Sequence, residues 1–95
     1  MTRPLLSEAD RTDVFRGLAH PLRRELLVQL KRQERSVSEL LALAGSGITM
    51  PTLSRHLRIL REAGLVRQRR DGQKRVYRIQ TQASQKAMKW LKQLQ

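Results

Sequence analysis

Apolar residues along this 95-residue chain recur mostly at helical spacing, punctuated by proline and glycine. Ser7 and Asp10 stand where an N-cap belongs, ahead of Val14, Phe15, Leu18 and Ala19, which predicts a first helix over about 8–19. His20-Pro21 then opens a second helix, with His20 as cap and Pro21 at its first position. Its stripe is Leu22, Leu26, Leu27 and Leu30, and it fades near Gln33. Ser36-Val37-Ser38-Glu39 reads as a capping box that starts a third helix running to about Ala44. Gly45-Ser46-Gly47 breaks it. Thr49 caps a fourth helix, with Pro51 in its first turn, Leu53, Leu57 and Leu60 on its buried side, and Gly64 as the residue that ends it. Two β-prone segments, about 65–70 and 74–79, flank a hairpin turn at Asp71-Gly72. From Gln82 onward, Ala83, Ala87, Trp90, Leu91 and Leu94 share one helical face. The predicted order is α-α-α-α-β-β-α, mainly helical with a β-hairpin.

The fourth helix has an unusual polar side. It carries Thr52, Ser54, Arg55, His56 and Arg58, and no carboxylate appears before Glu62. A solvated face normally mixes both signs of charge. A face made of hydroxyls and cations suits an anion. The whole chain agrees, since 20 Lys and Arg against 8 Asp and Glu give a formal charge of +12, which predicts a polyanionic partner. Helices followed by a helix after a short turn, then a hairpin, form the order of a winged helix-turn-helix. In that arrangement the second helix of the pair enters the major groove of DNA. Met50, Thr52, Ser54 and Arg55 are then candidates to read bases, and Arg58 to hold phosphate. His56 either joins them or caps a core edge. The hairpin adds Arg67, Arg69, Arg70, Lys74, Arg75 and Arg78 around a single acid, Asp71, which suits flanking phosphates or a minor groove. The plain alternative is a charged edge that keeps strands from pairing.

Other classes recede. With no cysteine there is no thiolate metal site, disulfide or cysteine nucleophile. His20 reads as a helix cap, and two isolated histidines do not make a zinc site. No nucleophile–base pair, glycine-rich phosphate loop or carboxylate dyad suggests an enzyme. Neither a signal peptide nor a span of ~20 apolar residues is present, so residues 1–95 read as one small, basic, cytoplasmic domain without a membrane role. A chain this short buries only about 60% of its unfolded surface. Val14, Phe15, Leu18, Ala87, Trp90, Leu91 and Leu94 offer more apolar area than such a core takes up, and they are the expected seam of a homodimer.

The segments L-A-H-P-L-R-R-E-L-L (18–27), S-V-S-E-L (36–40), P-T-L-S-R-H-L-R-I-L-R-E-A-G-L-V (51–66) and R-D-G-Q-K-R-V-Y-R-I (70–79) resemble the ArsR family of bacterial repressors. The likeness covers about residues 12–95. Its short tail, A-M-K-W-L-K-Q-L, is most similar to the SdpR-type autorepressor branch. The resemblance implies a homodimeric winged-helix repressor of double-stranded DNA that binds an inverted-repeat operator, with 50–62 as recognition helix, 65–79 as wing, and the first and last helices as dimer interface. Two departures stand out. The third helix lacks the cysteine pair, and the last helix lacks the Asp and His, through which many members sense metals. Metal sensing is therefore not implied, and no effector is. The turn between Glu39 and Pro51 is also about two residues longer than the family's usual one. The competing function is a winged helix that binds RNA or a protein. RNA readers generally stack bases on aromatic rings, and Phe15, Tyr77 and Trp90 are the only three here.

Overall fold

The computed structural model describes residues 13–95, in which α1 spans Asp13–Leu18, α2 Pro21–Arg32, α3 Val37–Ala44, α4 Met50–Glu62 and α5 Gln82–Lys92. The expected caps at Ser7 and Asp10, and the start of the first helix, lie outside the described residues. The mainly helical winged helix-turn-helix expected from the sequence is the fold observed, with one addition. A two-residue strand, β1 (Arg35–Ser36), joins β2 (Val66–Asp71) and β3 (Lys74–Ile79) in an antiparallel sheet of order β1-β3-β2. Arg35 pairs with Tyr77 and Ser36 with Val76. So short a strand has no periodicity to detect, and Ser36 also caps α3.

Local signals hold where their atoms can be checked. His20 accepts the Leu22 N–H through Nδ1 at 3.0 Å. Ser36 Oγ accepts the Glu39 N–H while Glu39 Oε1 accepts the Ser36 N–H, a reciprocal capping box. The backbone bond from Ser36, with the Ser36 hydroxyl and the charges of Arg35 and Lys74 behind it, holds the Glu39 carboxyl below the usual carboxylate range. Thr49 caps α4 by accepting from Thr52 N. Helix α4 ends in a Schellman motif: Leu65 N–H reaches Leu60 O and Gly64 N–H reaches Arg61 O, both at 3.0 Å, with Gly64 at φ 74°. The longer turn before α4 costs the packing nothing visible. Gly45 and Gly47 take positive φ in open space, and Ile48 returns to the core. The hairpin turn sits one residue later than expected. Asp71 still pairs with Lys74, leaving Gly72-Gln73 as the two-residue loop.

The core gathers Leu26 and Leu30 of α2, Leu40 of α3, Leu53, Leu57 and Leu60 of α4, Leu65 just before β2, and Val66 and Tyr77 from the sheet. Helix α1 lies close over the α4–β2 junction because Gly17 has no side chain. A Cβ there would stand 2.6 Å from Leu65 Cδ1 and 3.2 Å from Ala63 Cβ. Leu65 is itself buried, so its displaced methyl would press on packed neighbours. Gly17→Ala is therefore expected to lose about 1–3 kcal/mol, outweighing the ~1 kcal/mol alanine gains in helix propensity. Urea denaturation checks it; an unchanged midpoint would mean that α1 slides without cost.

Candidate nucleic-acid interface

Helix α4 sorts its side chains by angle. At about 100° per residue, Leu53, Leu57 and Leu60 point into the core and are essentially inaccessible. Arg55 lies opposite them, with Ser54 and Arg58 on one flank and Thr52 on the other, and all four are exposed. Met50 is 40% exposed at the helix start. The Thr49 hydroxyl donates to Thr52 Oγ1 at 3.0 Å, which leaves the Thr52 hydroxyl proton to point outward. Arg58 makes an i,i+4 contact with Glu62 at 3.3 Å, both side chains well exposed. This order, cation before anion, is the weaker one on a helix, so Arg58 is readily drawn elsewhere.

Between α4 and the wing lies an open cleft of about 740 Å³. Its α4 wall is Met50, Pro51, Ser54, Arg55, Leu57, Arg58 and Arg61; Ser36, Val37 and Ser38 close one end, and Gln73, Lys74, Arg75 and Tyr77 form the wing side. Five cations and three serine hydroxyls line it without one carboxylate. The start of α3 faces the same space, with its first turn already capped by Glu39. Arg61, Ser38 and Gln73 are additions to the expected set. Arg61 is legible in the sequence, three residues beyond Arg58 and seven beyond Ser54 on one face; Ser38 and Gln73 reach the cleft only through the fold. Arg61 also donates to Gln68 Oε1, which accepts from the Tyr77 hydroxyl at 3.0 Å, so the end of α4 is bonded to both wing strands.

The wing puts like charges in register. Arg67 pairs with Arg78, and Arg70 with Arg75, directly across the two strands. Opposed like charges destabilise a hairpin, so the arrangement suits a partner that supplies the anions. Arg70, Lys74 and Arg75 have no carboxylate within ion-pair distance among the described residues. Arg67 spends its Nε on Gln80 Oε1 at 3.2 Å.

Three expected site residues are placed differently. Arg69 is held by Glu34, in the turn before β1, through Nη2 at 3.2 Å and Nε at 3.4 Å, with Asp71 at 3.9 Å. That bond, and then the charge of Arg69, keep the Glu34 carboxyl below its ordinary value, and Glu34 raises Arg69 in turn. Arg69 is thus tied to Glu34 through a half-exposed ion pair, which braces the wing and is weak enough to open. His56 sits on the inner flank of α4, bonded to Arg23 at 3.0 Å and 4.5 Å in ring centroid distance from His20. Ala87 is 5% exposed in the single chain, its methyl already covered by the body of the domain.

The remaining seam residues behave otherwise. Phe15 of α1 meets Trp90 of α5 edge to face at 5.8 Å. Val14 and Leu18 pack partly against the core. Trp90 is 44% exposed, Leu91 46%, Met88 58% and Leu94 69%, an apolar face left open among the described residues. Among the described residues no three of His, Cys, Asp and Glu cluster as a metal site, and no helix is long and apolar enough to cross a membrane.

A family model described as a helix-turn-helix domain matches residues 18–69. An uncharacterised HTH-type transcriptional regulator of Mycobacterium tuberculosis is 42% identical over 69 residues, 73% of this chain and 60% of that protein, so the chain spans under two thirds of that relative's length. A biofilm growth-associated repressor of Xylella fastidiosa is 36% identical over 85 residues, covering 82% of this chain and 73% of its own. Among solved structures, an ArsR family transcriptional regulator superposes with a TM-score of 0.80 at 28% identity, over 87% of this chain and 84% of the other. A homodimeric winged helix-turn-helix DNA-binding domain from Mycobacterium bovis gives 0.69 at 30% identity, over 84% and 74%. On the family match, these likenesses and the winged fold together, the chain belongs to the ArsR family of winged helix-turn-helix transcriptional regulators.

Proposed function

We propose that the chain acts as a homodimeric repressor in the bacterial cytoplasm, reading an inverted-repeat operator through two copies of α4, with its own promoter the first candidate target. The observation that carries this reading is the carboxylate-free cleft between α4 and the wing, where Arg55, Arg58, Arg61, Lys74 and Arg75 converge. Base reading falls to Met50, Thr52, Ser54 and Arg55, the exposed front of α4. Arginine donates two parallel bonds to O6 and N7 of guanine, and threonine or serine hydroxyls serve either bases or phosphates. Arg58, Arg70, Lys74 and Arg75 supply the sequence-independent grip on the backbone. The apolar face of α1 and α5 supports pairing, as does the homodimeric relative. A two-fold axis there would set the two α4 helices for successive major grooves about 34 Å apart. Repression is the action that the Xylella relative's name carries.

The test is fluorescence anisotropy with a duplex from upstream of the protein's own gene and a shuffled duplex of equal length, at several salt concentrations. Specific reading predicts ~10³-fold tighter binding to the native duplex and a steep loss of affinity with salt. Equal affinity for both would remove that promoter as the operator. If a genome-wide binding map then showed no preferred sites, the repressor reading itself would fall.

A further inference from the structure

Behind α4, on the side away from the cleft, lies a group of polar side chains that nothing in DNA contact requires. Arg23 of α2 is 8% exposed, a buried cation with no carboxylate beside it among the described residues. Its guanidinium is spent on three bonds: Nε to Gly17 O at 3.1 Å, Nη2 to Arg16 O at 2.9 Å, and Nη1 to His56 Nδ1 at 3.0 Å. The first two fall on carbonyls at the end of α1, Gly17 O and an Arg16 O that also accepts the Ala19 N–H at 3.1 Å, where a cation suits the helix dipole. The third reaches into α4, on the helix that carries Arg55 and Arg58. One residue thus ties α1, α2 and α4 together.

The chemistry of that third bond fixes a protonation state. An arginine only donates, so His56 Nδ1 must hold a lone pair, and the ring is the neutral tautomer with its proton on Nε2. His20 is constrained in the same way, because its Nδ1 accepts the Leu22 N–H. The two ring centroids lie 4.5 Å apart with the planes tilted by 51°. Among the described residues, the charged and titratable groups acting on His56 are His20 from the α1–α2 junction, Arg23 from α2 and Arg55 from its own helix, with Arg16 beyond them acting on Arg23, and all of these are basic. A proton arriving on His56 Nδ1 would aim an N–H at an N–H and add a positive charge among cations.

We propose that Arg23 is a positioning residue that sets the pose of α4 through His56, and that this strut is released by protonation of His56, so that acidification lowers sequence-specific DNA binding more than nonspecific binding. The proposal rests on the operator-reading function above. Burial, then His20, Arg23 and Arg55, hold the His56 pKa below the ordinary 6.5. The sign follows: at neutral pH and above the strut is intact, and it is lost as pH falls below 6.5, where the unfolded or detached ring takes up protons first. Nonspecific binding, which depends on summed positive charge, moves the other way or not at all.

Two arms test this. Without DNA, the ring resonances of His20 and His56 and the amide resonances of α4 are followed by NMR from about pH 8 to 5, a window that brackets the histidine range, in wild type and in His56→Asn. The carboxamide introduced by that substitution keeps an acceptor near the place of Nδ1 but cannot titrate. The amides of Arg55 and Arg58 are expected to shift with the His56 titration in wild type and to stay still in the variant. With DNA, the native and shuffled duplexes are titrated at about pH 7.5 and 5.0, on either side of that range, at fixed ionic strength. The ratio of the two affinities is expected to fall at least about fivefold in wild type, a typical coupling between two sites, and to hold in His56→Asn. A ratio independent of pH in wild type, or an equal fall in the variant, overturns the strut. If the protein shows no preference for the native duplex even at the higher pH, the operator reading has failed instead. The NMR arm then decides alone: α4 amides indifferent to His56 titration overturn the strut.

Discussion

Leu91→Glu/Leu94→Glu is expected to sediment as a monomer at micromolar concentration and to bind the native duplex at least ~10²-fold more weakly than wild type. In the single chain Leu91 is 46% and Leu94 69% exposed, so charging both leaves the protomer's core untouched. In a dimer they would lie against the partner, where each buried leucine contributes roughly 1.5–3 kcal/mol and a buried unpaired carboxylate costs more. DNA affinity follows because two half-sites linked through a dimer engage as one. Once the first recognition helix is bound, the second meets its half-site at a high effective concentration, worth ~10²–10⁴ in affinity. Trp90 is the poorer probe, since its ring also braces Phe15 and its loss would disturb the α1–α5 contact inside one protomer. Circular dichroism must show the double variant folded. If it remains dimeric, or if a folded monomer binds as tightly as wild type, the α1/α5 face is not the seam.

How much of the fold and site is legible in the sequence depends on the range of the interaction. The helices α2, α3 and α4, their caps and the two wing strands follow from contacts within a few residues, which spacing and cap chemistry encode. The positions that moved depend on partners far away in sequence. Arg69 reads as one more wing cation until Glu34, 35 residues earlier, is brought alongside it. His56 reads as part of a polar face, although it follows Arg55 by only about 100° of turn, until Arg23, 33 residues earlier, fixes which side it takes. Arg23 itself leaves a trace: it precedes Leu26 by three and Leu30 by seven, on the stripe that the helix buries. A charge at a core position asks which carbonyls it satisfies, and here they belong to the end of α1. Ala87 shares a helical face with Trp90 and Leu94, but a stripe has depth. Its small side chain lies where α5 meets its own domain, while the larger residues beyond it remain exposed.

Arg55→Ala is expected to weaken binding to the native duplex by about 1–3 kcal/mol, roughly 5- to 150-fold, and to the shuffled duplex far less. Of the cations along the cleft, Arg55 is the one that points straight away from the Leu53–Leu57–Leu60 stripe, and a helix lying in a groove presents that line to the base edges. No protein carboxylate holds it among the described residues, so no internal bond must be broken before it reaches a base. Arg75→Ala is the proper contrast. Arg75 stands at the wing side of the same cleft, opposite Arg70, where its charge would meet phosphate rather than sequence. Its removal should weaken both duplexes about equally and reduce the salt slope by about one. Arg69 would be a misleading contrast, because its loss also frees Glu34 and loosens the wing. Equal losses on the two duplexes for Arg55→Ala would take it out of the base-reading set and leave Thr52, Ser54 and Met50 to supply specificity. A discrimination that tracks Arg75 instead would place the sequence contact in the wing, with α4 serving as the backbone grip.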